Sequence, residues 1–301
     1  MDTQIYMHGQ ILGTHSFYLK AGPLHPDEYS ELSAKYFLPG GETGTAATVL
    51  ASLGVSVKID GTQIGTEVAP MLREFYKDKS VDLSSCYFDP NYVGLMDYVI
   101  VDGLVRTPMG FFQSLYQPGA HQPWNMPKED DIKNAQVCGI DPFFMDATQK
   151  AGELCVKYNK PYVTIDCAHT EYLHQHAAIN VVSRAECLNN HYKGKTAEDA
   201  YKLLTDTTGG LVIITRGGDE MLYGRRGQPP KYMKPFKTDV KSTLGAGDTF
   251  KAGCLYALLN KMSDDETVRF ASACSSVAIS RYPLPLNPPT LKEVQKLLTQ
   301  S

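Results

Sequence analysis

The chain has 301 residues, of which 43% are hydrophobic, and its formal net charge is −4. This length and composition allow a large buried core, and the slightly acidic balance excludes the basic footprint of a nucleic-acid-binding protein. No run of eighteen apolar residues occurs, and residues 1–30 lack a basic start followed by an apolar block. The sequence therefore predicts a soluble, cytoplasmic protein without a signal peptide or membrane span. The seven cysteines form no Cys-x-x-Cys pair, which favours reduced thiols.

Two early segments, residues 10–37 and 87–117, are rich in tyrosine, phenylalanine, glycine and proline. Period-two alternation there, as in residues 98–101, indicates β-strands. Further along, short apolar runs alternate with helical patterns. We expect strands at residues 135–140, 161–166, 179–182 and 211–215, and helices at 146–157, 197–205, 248–260 and 290–298. Strand, helix and strand in succession predict a mainly parallel sheet that is covered by helices on both faces.

The most informative stretch runs from Ser242 to Phe250, with the sequence Ser-Thr-Leu-Gly-Ala-Gly-Asp-Thr-Phe. Gly245 and Gly247 flank one small residue, and Asp248 stands at the predicted start of a helix. A helix start has unpaired backbone N–H groups and a partial positive charge, so it binds anions such as phosphate. A carboxylate at that place suggests a general base for a hydroxyl. The alternative is that Asp248 only caps the helix and the glycines only form a turn.

Two other kinds of site fit the sequence less well. A Walker loop that ends at residues 194–196 would need glycine at position 189, where the chain has asparagine. His169, His174 and His176 lie close together, but they contain no helical i, i+4 pair, and no cysteine or paired carboxylate completes a metal site. A histidine cluster on the solvent side is the favoured interpretation.

The motif from Gly245 to Gly253 resembles the C-terminal signature of the ribokinase-like (PfkB) carbohydrate kinases, and the stretch from Gly40 to Gly54 resembles their first signature. The segments between follow the family's order. The resemblance implies a ribokinase-like three-layer α/β/α sandwich with a mostly parallel central sheet and a small β-sheet lid. It also implies one domain over residues 1–301, with lid segments 10–37 and 87–117. Family lids often pair, so a homodimer through the lid is expected, although an ordinary surface hairpin would look similar.

The resemblance also implies an ATP-dependent kinase that uses Mg²⁺ and phosphorylates an alcohol group of a small sugar or polyol. Asp248 would be the general base, and the turn Gly245-Ala246-Gly247-Asp248 would form the anion hole. Ser183 stands where the family usually has asparagine, and Glu186 matches the family's acid near magnesium. The expected nucleotide-binding residues are Ser183, Thr215, Gly217 and Gly218, with Ala271, Cys274, Ser275 and Ala278 forming either a wall for the adenine or plain helix packing.

The expected acceptor site departs from the family pattern. Thr14 and Thr45 stand where the family generally has aspartate and asparagine, and Glu42 adds a carboxylate next to Gly41. A site built to bond particular hydroxyls discriminates sharply against analogues, so these changes should alter substrate choice. Arg106 is either a lid residue that complements an anionic or ring-bearing substrate or a solvated charge on a strand.

Two further functions stay open at this stage. A nucleoside kinase on the same fold would use the aromatic lid to stack a base. A non-catalytic small-molecule sensor would explain why Thr14, Thr45, Ser183 and Ser242 all depart from the family pattern, but Asp248 and its glycines argue against it. Ser242 replaces an aspartate that is common in potassium-activated members, so potassium dependence is undecided. The acceptor, its hydroxyl and the phosphate donor are also undecided.

Overall fold

The computed structural model describes residues 3–183 and 190–300, and it contains fifteen strands and nine α-helices within those ranges. The strands are β1 (Ile5–Gly9), β2 (Leu12–Leu19), β3 (Leu32–Gly40), β4 (Val57–Gly61), β5 (Gln63–Ile64), β6 (Val81–Asp82), β7 (Tyr87–Phe88), β8 (Met96–Asp102), β9 (Val105–Gly110), β10 (Val137–Ile140), β11 (Tyr162–Ile165), β12 (Ile179–Ser183), β13 (Leu211–Thr215), β14 (Met221–Gly224) and β15 (Lys231–Met233). The helices are α1 (Glu42–Ser52), α2 (Val68–Tyr76), α3 (Glu129–Asn134), α4 (Met145–Lys157), α5 (Tyr172–His176), α6 (Ala197–Thr207), α7 (Ala246–Leu259), α8 (Asp264–Ile279) and α9 (Leu291–Thr299).

The large sheet has nine strands in the order β15-β14-β13-β12-β11-β10-β1-β4-β6. From β13 to β6 every neighbouring pair is parallel, and β14 and β15 add an antiparallel edge. The strands and helices predicted from residue 135 onward are present, with ends shifted by at most two residues. Parallel strands place their carboxyl ends along one edge of the sheet, where the following loops gather.

Both faces of this sheet are covered by helices, because successive strand residues point to opposite sides. In β13, Leu211 and Ile213 pack in a cluster that also holds side chains of α1, α2, α7, α8 and α9. Val212 and Ile214 face the other way and pack with α6. The remaining helices, α3 to α5, pack on that second face against β1, β10 and β11. The predicted three-layer α/β/α sandwich is therefore confirmed.

The small sheet has four strands in the order β3-β2-β8-β9. β2 pairs with β3 antiparallel and with β8 parallel, while β8 and β9 form an antiparallel pair. Its strands come from residues 12–40 and 96–110. On one face, the His15 ring stacks on Phe37 with ring centroids 4.1 Å apart, so Thr14 and Ser16 point to the opposite face. That opposite face covers the cavity described below.

The expected histidine cluster on the solvent side is wrong for His174. This side chain is 0% exposed, with Nε2 2.9 Å from the Leu204 carbonyl oxygen and Nδ1 2.6 Å from Asn180 Nδ2. Burial lowers the pKa of His174. The helical period of α5 turns this residue inward against α6, which a count of spacings between histidines does not reveal.

Within residues 3–183 and 190–300, no helix combines the length and the apolar character that crossing a membrane requires.

Candidate active site

The turn that begins α7 positions the carboxyl group of Asp248. Gly245 is the residue before the helix, and its φ of 79° lies in the left-handed region that favours glycine. A Cβ on Gly245 would lie 3.1 Å from Thr45 Cγ2 and 3.2 Å from Leu284 Cδ1. Because α7 begins at Ala246, Asp248 is the third residue of the helix. The alternative that Asp248 is the N-cap is therefore wrong, and its carboxyl is free to face a ligand.

A cavity of about 290 Å³ opens beside this turn. The small sheet forms one wall, the first turns of α1 and α7 form another, and residues 283–285 close a third side. All six residues that the sequence predicts for the acceptor line it: Thr14, Gly41, Glu42, Thr45, Arg106 and Asp248. Thr14 and Arg106 lie on the small sheet, while the other four residues lie at the starts of α1 and α7. The structure thus brings together positions that are more than 200 residues apart in the sequence.

Burial and like charges raise the pKa values of two carboxyl groups in this cavity. Burial is the main cause of the rise in the pKa of Glu42 to about 8, and the carboxylates of Asp248 and Asp141 add to it. Burial also raises the pKa of Asp248 to about 6, where Lys251 and Arg106 offset part of the rise. At neutral pH Asp248 is therefore mostly ionised and able to accept a proton, while Glu42 is mostly protonated.

The sequence reasoning missed Asp97, a third carboxyl group at the cavity. It lies on β8 opposite Thr14 of β2, and burial raises its pKa. Its Oδ1 atom is buried and has no hydrogen-bond partner among the described residues, which suits a donor group of a ligand. Alternation in β8 around residues 98–101 was a usable signal, since it places residue 97 on the same face as Val99, which also lines the cavity.

The sequence reasoning also missed a buried ion pair next to the site, between Lys251 of α7 and Asp141. Both side chains are 0% exposed. A lysine in a helix is usually a solvent-facing residue, so the sequence carried no signal for this one.

The residues predicted for the nucleotide lie at the ends of two adjacent strands. Ser183 and Thr215 are paired in register at the carboxyl ends of β12 and β13. Gly217 has φ of 66°, and a Cβ on either Gly217 or Gly218 would meet no atom within 4 Å. This surface is open enough for backbone to approach a phosphate. Glu186, the predicted magnesium ligand, lies outside the described residues.

The small residues at helical spacing in α8 are Ala271, Cys274, Ser275 and Ala278. Three of them are buried, and Ser275 is partly exposed. A Cβ on Gly253 of α7 would lie 2.5 Å from Ala271 Cα, so the two helices pack closely there. The Ser275 hydroxyl donates to the Ala246 carbonyl oxygen at 2.7 Å. Because Ala271, Cys274 and Ala278 are buried, their role is more readily explained by helix packing. A contact between this set and adenine stays a prediction.

A family model described as pfkB family carbohydrate kinase matches residues 20–290. A 5-dehydro-2-deoxygluconokinase from Listeria monocytogenes is 24% identical over 303 residues, which cover 92% of this chain and 90% of that enzyme. A 5-dehydro-2-deoxygluconokinase from Shouchella clausii is 33% identical over 104 residues. This match covers 34% of this chain and 32% of that enzyme. The solved structure of Arabidopsis thaliana ribokinase complexed with ribose and ATP superposes with a TM-score of 0.81 at 20% identity and covers 100% of both chains.

Proposed function

Since the chain belongs to the pfkB family of carbohydrate kinases, we propose that it transfers a phosphoryl group from ATP to an alcohol group of a small sugar or polyol. The observation that best supports this is the position of the Asp248 carboxyl. It lies in the first turn of a helix and on the wall of a cavity that Thr14 and Glu42 also line. A base, an anion-binding helix start and a polar acceptor cavity meet at that point.

Asp248 is the general base in this proposal. An exposed aspartate has a pKa near 4 and is a weak base, whereas burial raises the pKa of Asp248 to about 6. The group therefore stays ionised at neutral pH and is better matched to accept a proton from a hydroxyl. In a loose phosphoryl transfer the proton leaves late, so position matters more than base strength.

The first turn of α7 is the proposed anion hole. The backbone N–H groups of Gly247 and Asp248 lie in the first turn of a helix of 14 residues and have no carbonyl partner within it. The Ala246 N–H, also expected in the anion hole, donates to the Thr243 carbonyl oxygen at 3.2 Å and would have to exchange that bond for a ligand. A Cβ on Gly247 would meet no atom within 4 Å, so the space over the turn is open. These N–H groups and the helix dipole would stabilise the charge that develops on the transferred group.

Four residues at the ends of β12 and β13 are the proposed nucleotide contacts: Ser183, Thr215, Gly217 and Gly218. The open backbone of Gly217 and Gly218 fits a phosphate or a ribose. Glu186 is the proposed magnesium ligand, as its match to the family's acid implies. Bound Mg²⁺ would neutralise charge on the phosphates.

A neutral, hydroxyl-rich acceptor fits the cavity best. Carboxyl oxygens accept hydrogen bonds from hydroxyls, and the Asp97 Oδ1 atom is ready to accept one. An anionic acceptor would meet the Asp248 carboxylate, two further carboxyl groups and, in the lining that the described residues provide, a single guanidinium, that of Arg106. We therefore expect sugars or polyols to be better acceptors than sugar acids.

A nucleoside kinase is the second candidate, and the cavity gives it less support. Phe112 is the only aromatic side chain in the cavity lining that the described residues provide. The aromatic stack around His15 lies on the opposite face of the small sheet, where it cannot receive a base. The aromatic residues of segments 10–37 and 87–117 predicted a stacking surface for a base, but only one of their rings faces the cavity among the described residues.

The test is ADP release with ATP and Mg²⁺ across matched sugars, polyols, sugar acids and nucleosides. The proposal expects saturable ADP release with a neutral sugar or polyol and much weaker release with the corresponding acid. Release with nucleosides alone would establish the second candidate. Saturable thermal stabilisation by a panel compound without any ADP would favour a sensor and contradict the proposal.

A homodimer through the small sheet is a further part of this proposal. β9 is an edge strand, and all six of its residues are exposed. Val105 and Met109 are 63% and 45% exposed, and Phe111 just beyond the strand is 75% exposed. An exposed apolar edge strand is normally covered in the native assembly.

A further inference from the structure

A fully buried ion pair joins the helix of Asp248 to the end of β10. The Lys251 ammonium contacts the Asp141 carboxylate, and both side chains are 0% exposed. Thr43, in the first turn of α1, donates its hydroxyl to Asp141 Oδ2 at 2.6 Å. Lys251 follows Asp248 by three residues, which is about one helical turn. The pair therefore links β10, α1 and α7, the last two of which carry cavity residues.

The chain leaves room for this pair at Gly9. A Cβ on Gly9 would lie 2.2 Å from Asp141 Oδ2 and 2.4 Å from Thr43 Oγ1. Burying two charges carries a desolvation cost of several kcal/mol for each ion, and apolar residues of similar volume are often as stable or more so. Fold stability is thus a poor reason for the pair, and its place beside the cavity suggests another.

Lys251 is one of two cations that act on the carboxyl of Asp248 among the residues that the structure describes. The second, Arg106, lies on the exposed strand β9 and is open to solvent, so its charge is more strongly screened. The other charged groups that face Asp248 are acidic. Among the described residues, and by element, these groups are Lys251 of α7, Arg106 of β9, Glu42 of α1, Asp97 of β8, Asp141 after β10 and Asp166 after β11.

We propose that Lys251 is a positioning residue of the kinase site. Its ion pair with Asp141 fixes the first turns of α7 and α1 relative to each other. Its buried positive charge also keeps the Asp248 carboxyl ionised at neutral pH despite the surrounding acids. This proposal rests on the proposed function, because it explains how a buried aspartate can serve as a base.

The test compares Lys251→Met with the double variant Lys251→Met/Asp141→Asn. The single variant leaves a buried carboxylate without its cation, so it should lose stability, and the double variant should recover part of that loss. Both should raise the pKa of Asp248. We expect a rise of about one unit in the single variant, at the low end of the effect of a neighbouring charge, and a smaller rise in the double variant.

The readout is the ¹³C chemical shift of the Asp248 carboxyl between pH 4 and pH 9, assigned by comparison with Asp248→Asn. This measurement needs no turnover, so it decides the proposal even if no acceptor is found. With an active acceptor, the acid limb of kcat should move to higher pH by the same amount, and kcat at pH 6 should fall several-fold. A change in stability with an unmoved Asp248 titration in both variants would overturn the proposal.

Lys58→Met is the matched control. Lys58 lies on β4 and forms an ion pair with Asp131 at 2.8 Å, away from the cavity. Loss of this ion pair should lower the stability of the fold and leave the pKa of Asp248 unchanged. An equal shift in this control would show that the effect is not specific to Lys251 and would also overturn the proposal.

Discussion

The carboxyl groups of Glu42 and Asp248 share one cavity but differ in protonation at neutral pH. Asp248 has Lys251 as a nearby cation, and its pKa rises only to about 6. Glu42 is acted on more strongly by the carboxylates of Asp248 and Asp141 than by Lys251, and its pKa rises to about 8. Two acids whose environments separate their pKa values can take different roles, one as base and the other as hydrogen-bond donor.

Glu42→Gln should make stability less dependent on pH. The pKa of Glu42 is about 8 in the folded chain, against the ordinary value of 4.5 in the unfolded chain. Between these two pH values the folded chain holds a proton on Glu42 that the unfolded chain releases. This contribution to stability is complete below pH 4.5 and is lost as the pH rises through 8. Glutamine resembles the protonated form, so the variant should match the wild type at pH 5. At pH 9 it should be more stable by on the order of 1 kcal/mol, a value reduced for the partial exposure of Glu42.

Urea unfolding of both proteins at pH 5 and pH 9 measures this difference. An equal stability difference at the two pH values would show that Glu42 titrates as an ordinary surface glutamate.

At the scale of single residues, the sequence predicted the cavity residues that are joined to recognisable motifs. Asp248 follows two glycines at a predicted helix start, and Glu42 and Thr45 belong to the stretch that resembles the family's first signature, so each could be named from its motif. Lys251 and Asp141 could not, because each looks like an ordinary charged residue until the fold buries both. Charge burial depends on contacts between distant segments, and one sequence does not display those contacts.

At the scale of elements, the turn at Gly245 fixes how α7 meets α1. The φ of Gly245 is left-handed, and a Cβ there would press against side-chain atoms of Thr45 and Leu284, which would have to shift. Gly245→Ala should therefore lower the free energy of unfolding by about 1–2 kcal/mol. It should also lower kcat by on the order of tenfold or more, because a small displacement of the anion hole misaligns the reacting groups.

Gly54→Ala is a matched control for that prediction. Gly54 follows α1, has φ of 87°, and has open space where a Cβ would be. This variant should lose about 1 kcal/mol of stability through backbone strain alone and keep a normal kcat. Steady-state kinetics and urea unfolding of the two variants separate strain from displacement. Equal kcat values would contradict a role for the Gly245 turn.

The elements of the second half were predictable because buried parallel strands are short apolar runs, and the helices between them have a clear period. Leu211–Thr215 was predicted with its observed bounds. The antiparallel edge formed by β14 and β15 was missed, since a strand of three or four residues carries too few positions to show a pattern. Helix α8 was foreseen only through its small residues, because its buried positions include serine and threonine as well as apolar residues and so show no clear apolar period.

At the scale of the whole molecule, the exposed edge of the small sheet predicts self-association. The wild-type protein should have twice the chain mass of 33.2 kDa in light scattering at micromolar concentration. The double variant Val105→Lys/Met109→Lys should be a monomer, because charged residues on an edge strand oppose pairing. A wild-type protein that stays monomeric at these concentrations would contradict the proposed dimer and leave the kinase assignment intact.

In the proposed reaction the Asp248 carboxyl accepts the proton of the acceptor hydroxyl. The most direct test is the kcat of Asp248→Asn with an acceptor that the ADP-release panel identifies, alongside calorimetric binding of that acceptor. General base catalysis contributes about a hundredfold to ten-thousandfold, so kcat should fall by that range while the acceptor Kd changes by less than about tenfold. A kcat within a few-fold of the wild-type value would contradict the claim.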